Sequence, residues 1–254
     1  MYNKGFAYII IITGFLFFST KFYGQNESFF NGVEMNYHPG FIMPHNASID
    51  YVTKDYTSAF NINLIKQTSG EKLWQQIYHN PRIGYGFNYN TLGNNKVFGK
   101  SYSIYSFFEG PCWTYRNKFM LNYRLSYGIS YLNKTFDLYD NYNNIAIGSK
   151  LNIHFNLMLN STISVTEQLK FLTGVGFTHF SNGKVKSPNK GLNVVSGSAG
   201  LRYFLHPPKT VDNSETEIPP IKSKNTFSLL WSHGIKDFTR FKPTKYYISS
   251  LTLN

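Results

Sequence analysis

A histidine and a serine stand two residues apart in the stretch 178–183, which reads Thr-His-Phe-Ser-Asn-Gly. An alternating apolar pattern leads up to them, and a loop rich in Asn, Gly, Pro and Lys follows. Because residues i and i+2 of a strand point to the same side, His179 and Ser181 share a face. This is the geometry that a base needs to take a proton from a nucleophilic hydroxyl.

Long alternating segments must position this pair. In residues 119–131, for example, Phe, Leu, Tyr and Ile at the odd positions alternate with Asn, Arg, Ser and Gly at most even positions. A period of two over so many residues indicates β-strands. Strands are predicted near 58–67, 82–90, 98–108, 118–132, 149–161, 167–181, 192–205, 225–235 and 245–253.

The length of these segments favours a membrane barrel over a soluble β-sandwich, which tolerates shorter strands. Transmembrane strands need about 9–11 residues, with an apolar outer face and a polar inner face. The sequence therefore predicts an all-β fold, an antiparallel transmembrane β-barrel of about eight strands. The nine candidates fit eight strands with one misassigned, or a larger barrel that is incomplete at the C-terminus. Residues 25–57 are interpreted as a lead-in segment with short strand or plug character. Residues 207–223, with two Pro-Pro pairs, are interpreted as a polar surface loop or linker.

The N-terminus has the layout of a secretory signal peptide: a short basic start, then an apolar run over residues 8–18. We assign residues 1–24 to the signal peptide and 25–254 to the barrel domain. The net charge of +12 favours anionic partners. Without a nucleic-acid-binding motif, anionic lipid is the better prediction than nucleic acid, and a merely solvated basic surface is the alternative. Neither a metal site nor a cofactor is predicted, because no cluster has ligand spacing.

The pleat predicts where the His-Ser pair points. His179 and Ser181 follow Phe171, Val175 and other apolar residues at odd positions, and Asn193 shares the parity of the apolar positions in the next strand. All three are therefore predicted on the outer, lipid-facing surface near a barrel rim. An enzyme with a site there would act on a membrane lipid.

The motif His-Phe-Ser-Asn-Gly at 179–183, followed by Pro-Asn-Lys-Gly at 188–191, resembles the signature of the outer-membrane lipid A 3-O-deacylases, the PagL or acyloxyacyl hydrolase family. Residues 144–149 and 74–84 also resemble segments of longer members. The resemblance implies an outer-membrane location and a serine esterase that hydrolyses an ester-linked acyl chain of lipid A in lipopolysaccharide. It implies Ser181 as nucleophile and His179 as base.

The resemblance also assigns the residues around the pair. Asn182, or a backbone N–H beside it, and Asn189 would hold or support the oxyanion. Three loop lysines would contact substrate phosphates. These are Lys184, Lys186 and Lys190.

The chain departs from the family at the third catalytic position, where Asn193 stands in place of an acidic residue. An Asn oxygen can accept from the imidazole and fix its tautomer, but it supplies no charge. Glu167 and Asp237 are acids that could substitute, by residue type alone. The alternative hypothesis is therefore a non-catalytic outer-membrane barrel, a channel or a surface or adhesive protein, that retains the loop. The sequence gives no support for an oligomer.

Overall fold

Eight antiparallel strands close into a barrel in the computed structural model of the chain, which describes residues 29–53, 55–116, 118–207, 226–237 and 245–254. The predicted signal peptide and residues 208–223 of the predicted linker lie outside the described residues. The strands are β1 (Gly32–Ile42), β2 (Thr57–Gln67), β3 (Arg82–Thr91), β4 (Lys100–Tyr115), β5 (Phe119–Leu132), β6 (Leu151–Ser164), β7 (Leu169–Ser181) and β8 (Leu192–Phe204).

Each strand pairs with the next in sequence, and β1 pairs with β8 to complete the ring. The strands run from 10 residues in β3 to 16 in β4, which is long enough to cross a bilayer. Large apolar side chains are exposed on the outer face, and polar side chains point inward. The predicted antiparallel transmembrane barrel is confirmed. Outward apolar residues include Met35, Phe60, Ile62, Phe87, Ile104, Tyr127, Ile129, Leu157, Val175 and Leu201.

Residues 25–57, interpreted as a lead-in segment with short strand or plug character, contain β1, a full strand of the barrel, and the short helix Ala47–Asp50. The sequence His38-Pro39-Gly40 resembles a turn and obscures the alternation on either side. In the structure, Pro39 lies in a gap in the pairing of β1 with β8, between the pairs Tyr37↔Ala199 and Gly40↔Ser196, and the register is the same on both sides of the gap. A proline is tolerated at such a point because no ladder hydrogen bond requires its missing N–H.

The two C-terminal candidates are strands, but they are not part of the barrel. They form a separate two-stranded sheet of β9 (Leu229–Asp237) and β10 (Lys245–Leu253). Because pairing of β1 with β8 leaves the barrel no free edge, a ninth strand has no place to join. The barrel therefore occupies residues 32–204 rather than the whole of 25–254.

Two short helices lie in the loops, α1 (Ala47–Asp50) and α2 (Leu73–Ile77). Among the described residues, no helix has the length and hydrophobicity required to cross a membrane.

A buried ionic cluster fills part of the barrel interior. Its members are Arg82, Arg124, Arg202, Glu34 and Glu109, which come from five different strands. Arg124 Nη1 lies 2.7 Å from an oxygen of Glu34, and Arg202 Nη2 lies 2.9 Å from an oxygen of Glu109. Such pairs compensate the cost of removing charge from water only when they are fully hydrogen-bonded, as they are here.

Apolar side chains form a cap over the barrel interior at one end. We call this end of the barrel the site rim. The loops of this rim are 43–56, 92–99, 133–150 and 182–191. Their apolar side chains pack with inward residues of the strand ends, so the loops hold one another in place. The cap consists of Ile42, Ile49, Val52, Leu92, Phe98, Leu132, Ile145, Ala146, Ile147, Phe180, Leu192 and Val194.

Candidate functional site

His179 and Asn193 form a cross-strand pair on the outer face of the barrel at the site rim. They lie directly opposite each other in the register of β7 and β8. The side chains of His179 and Asn193 are half-buried. Phe180, the residue that follows His179, is fully buried in the cap. The predicted outward position of this face is thereby confirmed. His179 Nδ1 lies 2.6 Å from Asn193 Oδ1, a hydrogen bond in which the imidazole donates.

Ser181 is the last residue of β7 and the next outward residue after His179. It pairs across the ladder with Ile153 of β6, while His179 pairs with Phe155 on the same strand. No hydrogen bond joins Ser181 Oγ to the His179 imidazole in the structure. Hydrogen bonds of this kind often form only when substrate is present, so the shared face is the informative observation.

His45 joins this group from the loop between β1 and β2. Its Nδ1 lies 3.2 Å from Asn193 Nδ2, and its Nε2 lies 2.8 Å from the backbone oxygen of Lys190. His45 was not among the candidate site residues predicted from the sequence. No local signal could reveal it, because the contact requires closure of the barrel, which brings β1 beside β8. One further bond, from Met43 N to Asn193 O at 2.8 Å, connects the two segments.

Asn182 and Asn189 brace the loop that follows Ser181. Asn189 Oδ1 accepts from the backbone N–H of Asn182 at 3.0 Å. The Asn182 amide donates to Ser149 Oγ at 2.7 Å and to the backbone oxygen of Lys186 at 2.9 Å. The Asn182 amide donors thus connect its own loop to the β5–β6 loop, and the Asn189 amide is oriented by the hydrogen bond that its oxygen accepts.

The β5–β6 loop supports the same segment from the other side. Gly191 N donates to the backbone oxygen of Ala146 at 3.0 Å. A Cβ on Gly148 would lie 2.5 Å from the oxygen of Pro188 and 2.8 Å from that of Lys186, so the two loops are in direct backbone contact. Residues 144–149, whose resemblance to the family was noted in the sequence, therefore form one wall of the site.

Gly191 lies against the edge of the His179 imidazole. It has a φ of +77°, and a Cβ there would lie 2.7 Å from His179 Cε1. Any other residue would strain the backbone and displace the ring.

The three loop lysines are exposed, and their backbone oxygens take part in the loop structure. The oxygen of Lys186 accepts from Asn182, and that of Lys190 accepts from His45. The oxygen of Lys184 accepts from Asp237 N at 3.0 Å. The positively charged side chains of these three lysines thus all belong to the loop next to His179 and Ser181.

Neither acid suggested as a substitute lies beside His179. Glu167 is in the turn between β6 and β7, at the opposite rim. Asp237 is buried, but its carboxylate accepts from Ser187 N at 3.1 Å. Asp237 therefore anchors the β9–β10 hairpin to the loop of the site and makes no contact with the imidazole.

A groove of about 300 Å³ lies on the outer wall at β1, β7 and β8, and its lining begins two residues along β8 from Asn193. We call it the outer groove. Val175 and Val195 lie on the outward faces of β7 and β8, and Gly197 leaves the space above it open. The lining is mainly apolar, as expected for a surface that contacts hydrocarbon. The full lining is Pro39, Gly40, Phe41, Tyr56, Val175, Val195, Ser196 and Gly197.

The sequence profile of the family described as Lipid A 3-O-deacylase (PagL) matches residues 59–202. The chain belongs to this family. The matched range runs from β2 to β8 and contains the whole of the 178–193 stretch, while β1, His45 and the β9–β10 hairpin lie outside it. The resemblance inferred from the motif is confirmed.

Solved structures to which the chain is similar include the following two. The outer membrane enzyme PagL has 15% identity and a TM-score of 0.46, over 66% of this chain and 97% of that chain. Neisserial surface protein A (NspA) has 15% identity and a TM-score of 0.45, over 71% of this chain and 99% of that one. A comparison with curated protein sequences gives no match.

Proposed function

We propose that this protein is an outer-membrane serine esterase that removes an ester-linked acyl chain from lipid A of lipopolysaccharide. The observation that carries the proposal is the hydrogen-bonded His179–Asn193 pair beside Ser181, on the outer face of a membrane barrel of the lipid A 3-O-deacylase family. A site on this face meets lipid substrates without removing them from the membrane.

In the proposed mechanism, His179 Nε2 takes the proton of the Ser181 hydroxyl as Oγ attacks the ester carbonyl. The tetrahedral intermediate collapses to a seryl ester as the imidazolium returns the proton to the departing lipid A alkoxide. Water, deprotonated by His179, then attacks the seryl ester, and the freed Oγ regains the proton. We assign the oxyanion to the amide N–H of Asn189, whose oxygen is already held by the Asn182 backbone.

The surroundings fit an anionic glycolipid with acyl chains. The outer groove begins at Val195, two residues along β8 from Asn193, and its apolar lining suits an acyl chain. The exposed lysines of the 182–191 loop suit the phosphates of lipid A, because a phosphate oxygen and an ammonium form strong charge-assisted hydrogen bonds. The proposal therefore assigns the acyl chain to the outer groove and the phosphorylated sugars to the loop.

A non-catalytic surface protein is the second candidate, and Asn193 in place of an acid is the observation that favours it. A channel is less consistent with the structure. The described part of the interior contains the five-residue ionic cluster and, at the site rim, the apolar cap.

The test is the mass of lipid A from cells that express wild-type protein or variants. Ser181→Ala and His179→Ala should each abolish release of the fatty acid, while the wild type reduces the mass of lipid A by one acyl chain. Ser106→Ala is the matched control, since Ser106 is an exposed serine that also lies on the outer face of the barrel. Unchanged lipid A with the folded wild-type protein would support the non-catalytic alternative.

A further inference from the structure

We propose that His45 is a positioning residue, which orients the Asn193 amide and thereby sets the tautomer of His179. The side chains form a continuous chain of hydrogen bonds from the Lys190 carbonyl through His45 and Asn193 to His179. The kinetic part of this inference rests on the proposed esterase function; the structural part does not.

The donor-to-acceptor direction of these hydrogen bonds is fixed at one end by the backbone carbonyl of Lys190. The oxygen of Lys190 can only accept, so the proton of a neutral His45 must be on Nε2, 2.8 Å away. His45 Nδ1 is then an acceptor, and it must receive its hydrogen bond from the Asn193 NH₂ group at 3.2 Å.

The rest of the chain follows from this orientation. With its NH₂ turned to His45, Asn193 presents Oδ1 to His179, and the imidazole must donate from Nδ1 across 2.6 Å. The free lone pair of His179 is then on Nε2, the nitrogen needed to take the proton of Ser181. The opposite orientation would put Asn193 Oδ1 against the lone pair of His45 Nδ1, which is repulsive.

Because Asn193 stands in place of an acid, a residue with the proposed role of His45 is needed. A carboxylate accepts through both oxygens, so it holds the Nδ1–H tautomer of a histidine in either orientation. A carboxamide has an acceptor end and a donor end, and the donor end would select the wrong tautomer. His45 removes this ambiguity through a contact that lies outside the range matched to the family.

Nitrogen NMR of histidine-labelled protein in detergent micelles tests the inference directly. At a pH where the imidazoles are neutral, wild-type His179 should be protonated at Nδ1. His45→Ala should give a mixture of tautomers. His45→Asp, which can only accept, should restore the Nδ1–H form. His206→Ala and His206→Asp are matched controls, since His206 is exposed beyond β8 at the opposite rim. An unchanged His179 tautomer in His45→Ala would overturn the proposal.

Kinetics give a second and separate readout. His45→Ala should lower kcat about fivefold, the effect of one ordinary hydrogen bond, with KM unchanged. His45→Asp should recover most of the loss. In an Asn193→Asp background, His45→Ala should have less than half of that effect, because a carboxylate has no donor end to misorient. Equal losses in His45→Ala and His45→Asp would show that His45 only packs the loop. If the wild type is inactive, the proposed function fails, and the tautomer measurement alone decides the role of His45.

Discussion

At the scale of single residues, the site differs from a Ser-His-acid arrangement at its third position. There Asn193 has an amide NH₂ group where an acid would have its second carboxylate oxygen. Asn193 holds His179 as a carboxylate would, through a 2.6 Å hydrogen bond, but it cannot stabilise the imidazolium by charge. The tautomer and the charge are separate contributions of a third catalytic residue. In the proposed site, Asn193 and His45 supply the first contribution through hydrogen bonds, and an amide cannot supply the second.

Asn193→Asp should therefore raise kcat for lipid A deacylation, by about tenfold at neutral pH, because a carboxylate would stabilise the positive charge that develops on His179. The change is isosteric, so KM should stay within about twofold. The measurement is the initial rate of fatty-acid release from purified lipopolysaccharide in detergent. A fall in kcat would contradict this reasoning and would indicate that the amide is required for the contact with His45.

At the scale of elements, the site depends on contacts between loops that are distant in sequence. The 182–191 loop contributes Asn182, Asn189 and Gly191, and the β5–β6 loop holds it through Ser149 and Gly148.

The β9–β10 hairpin makes three hydrogen bonds to the same loop through Asp237, with Lys184 and Ser187. An isolated two-stranded sheet is marginally stable in water, so this anchor contributes to the position of the hairpin.

Gly148→Ala tests the contact between the two loops. Its Cβ would lie 2.5 Å from the oxygen of Pro188, a distance that backbone atoms can relieve only by moving apart. We expect deacylation to fall about tenfold or more, because a shift of 1 Å in the reacting groups is costly. We also expect a destabilisation of about 1–3 kcal/mol in urea unfolding. Gly234→Ala on β9 is the control, since a Cβ there meets nothing within 4 Å. Wild-type activity in Gly148→Ala would show that the loop tolerates displacement.

At the scale of the whole molecule, the barrel separates two functions between its faces. The interior holds the ionic cluster, in which Glu34 accepts from Arg124 and Arg202, and Glu109 connects the same arginines to Arg82. The outer face holds the site and the outer groove. The interior is therefore filled in part by ion pairs, while the proposed chemistry belongs to the surface that meets lipid.

Glu34→Ala should destabilise the barrel by about 3–5 kcal/mol, because it leaves Arg124 and Arg202 buried without half of their counter-charge. The free energy of unfolding can be measured by tryptophan fluorescence in urea with lipid vesicles. Glu71→Ala is the control. Glu71 is exposed, and its carboxylate accepts a hydrogen bond from the Ser69 hydroxyl, so its loss should change stability by less than about 0.5 kcal/mol. A small effect of Glu34→Ala would mean that water enters the interior and solvates the arginines.

The sequence by itself determined the features that depend on neighbours in the chain. Alternation is a local property, and it predicted seven of the eight barrel strands as well as the outward position of His179, Ser181 and Asn193. The one strand that it missed, β1, carries a Pro-Gly pair that interrupts the pattern. The motif at 179–191 was likewise contiguous enough to indicate the family.

Only the tertiary structure decided which distant segments meet. Closure of the ring depends on the register between β1 and β8, and no local pattern encodes that pairing. Closure brings His45 to Asn193, separates the β9–β10 hairpin from the barrel, and gathers the arginines and glutamates of five strands into one cluster. The candidate site residues were therefore evident from the chain, whereas His45, which we propose orients them, is brought to them by closure of the barrel.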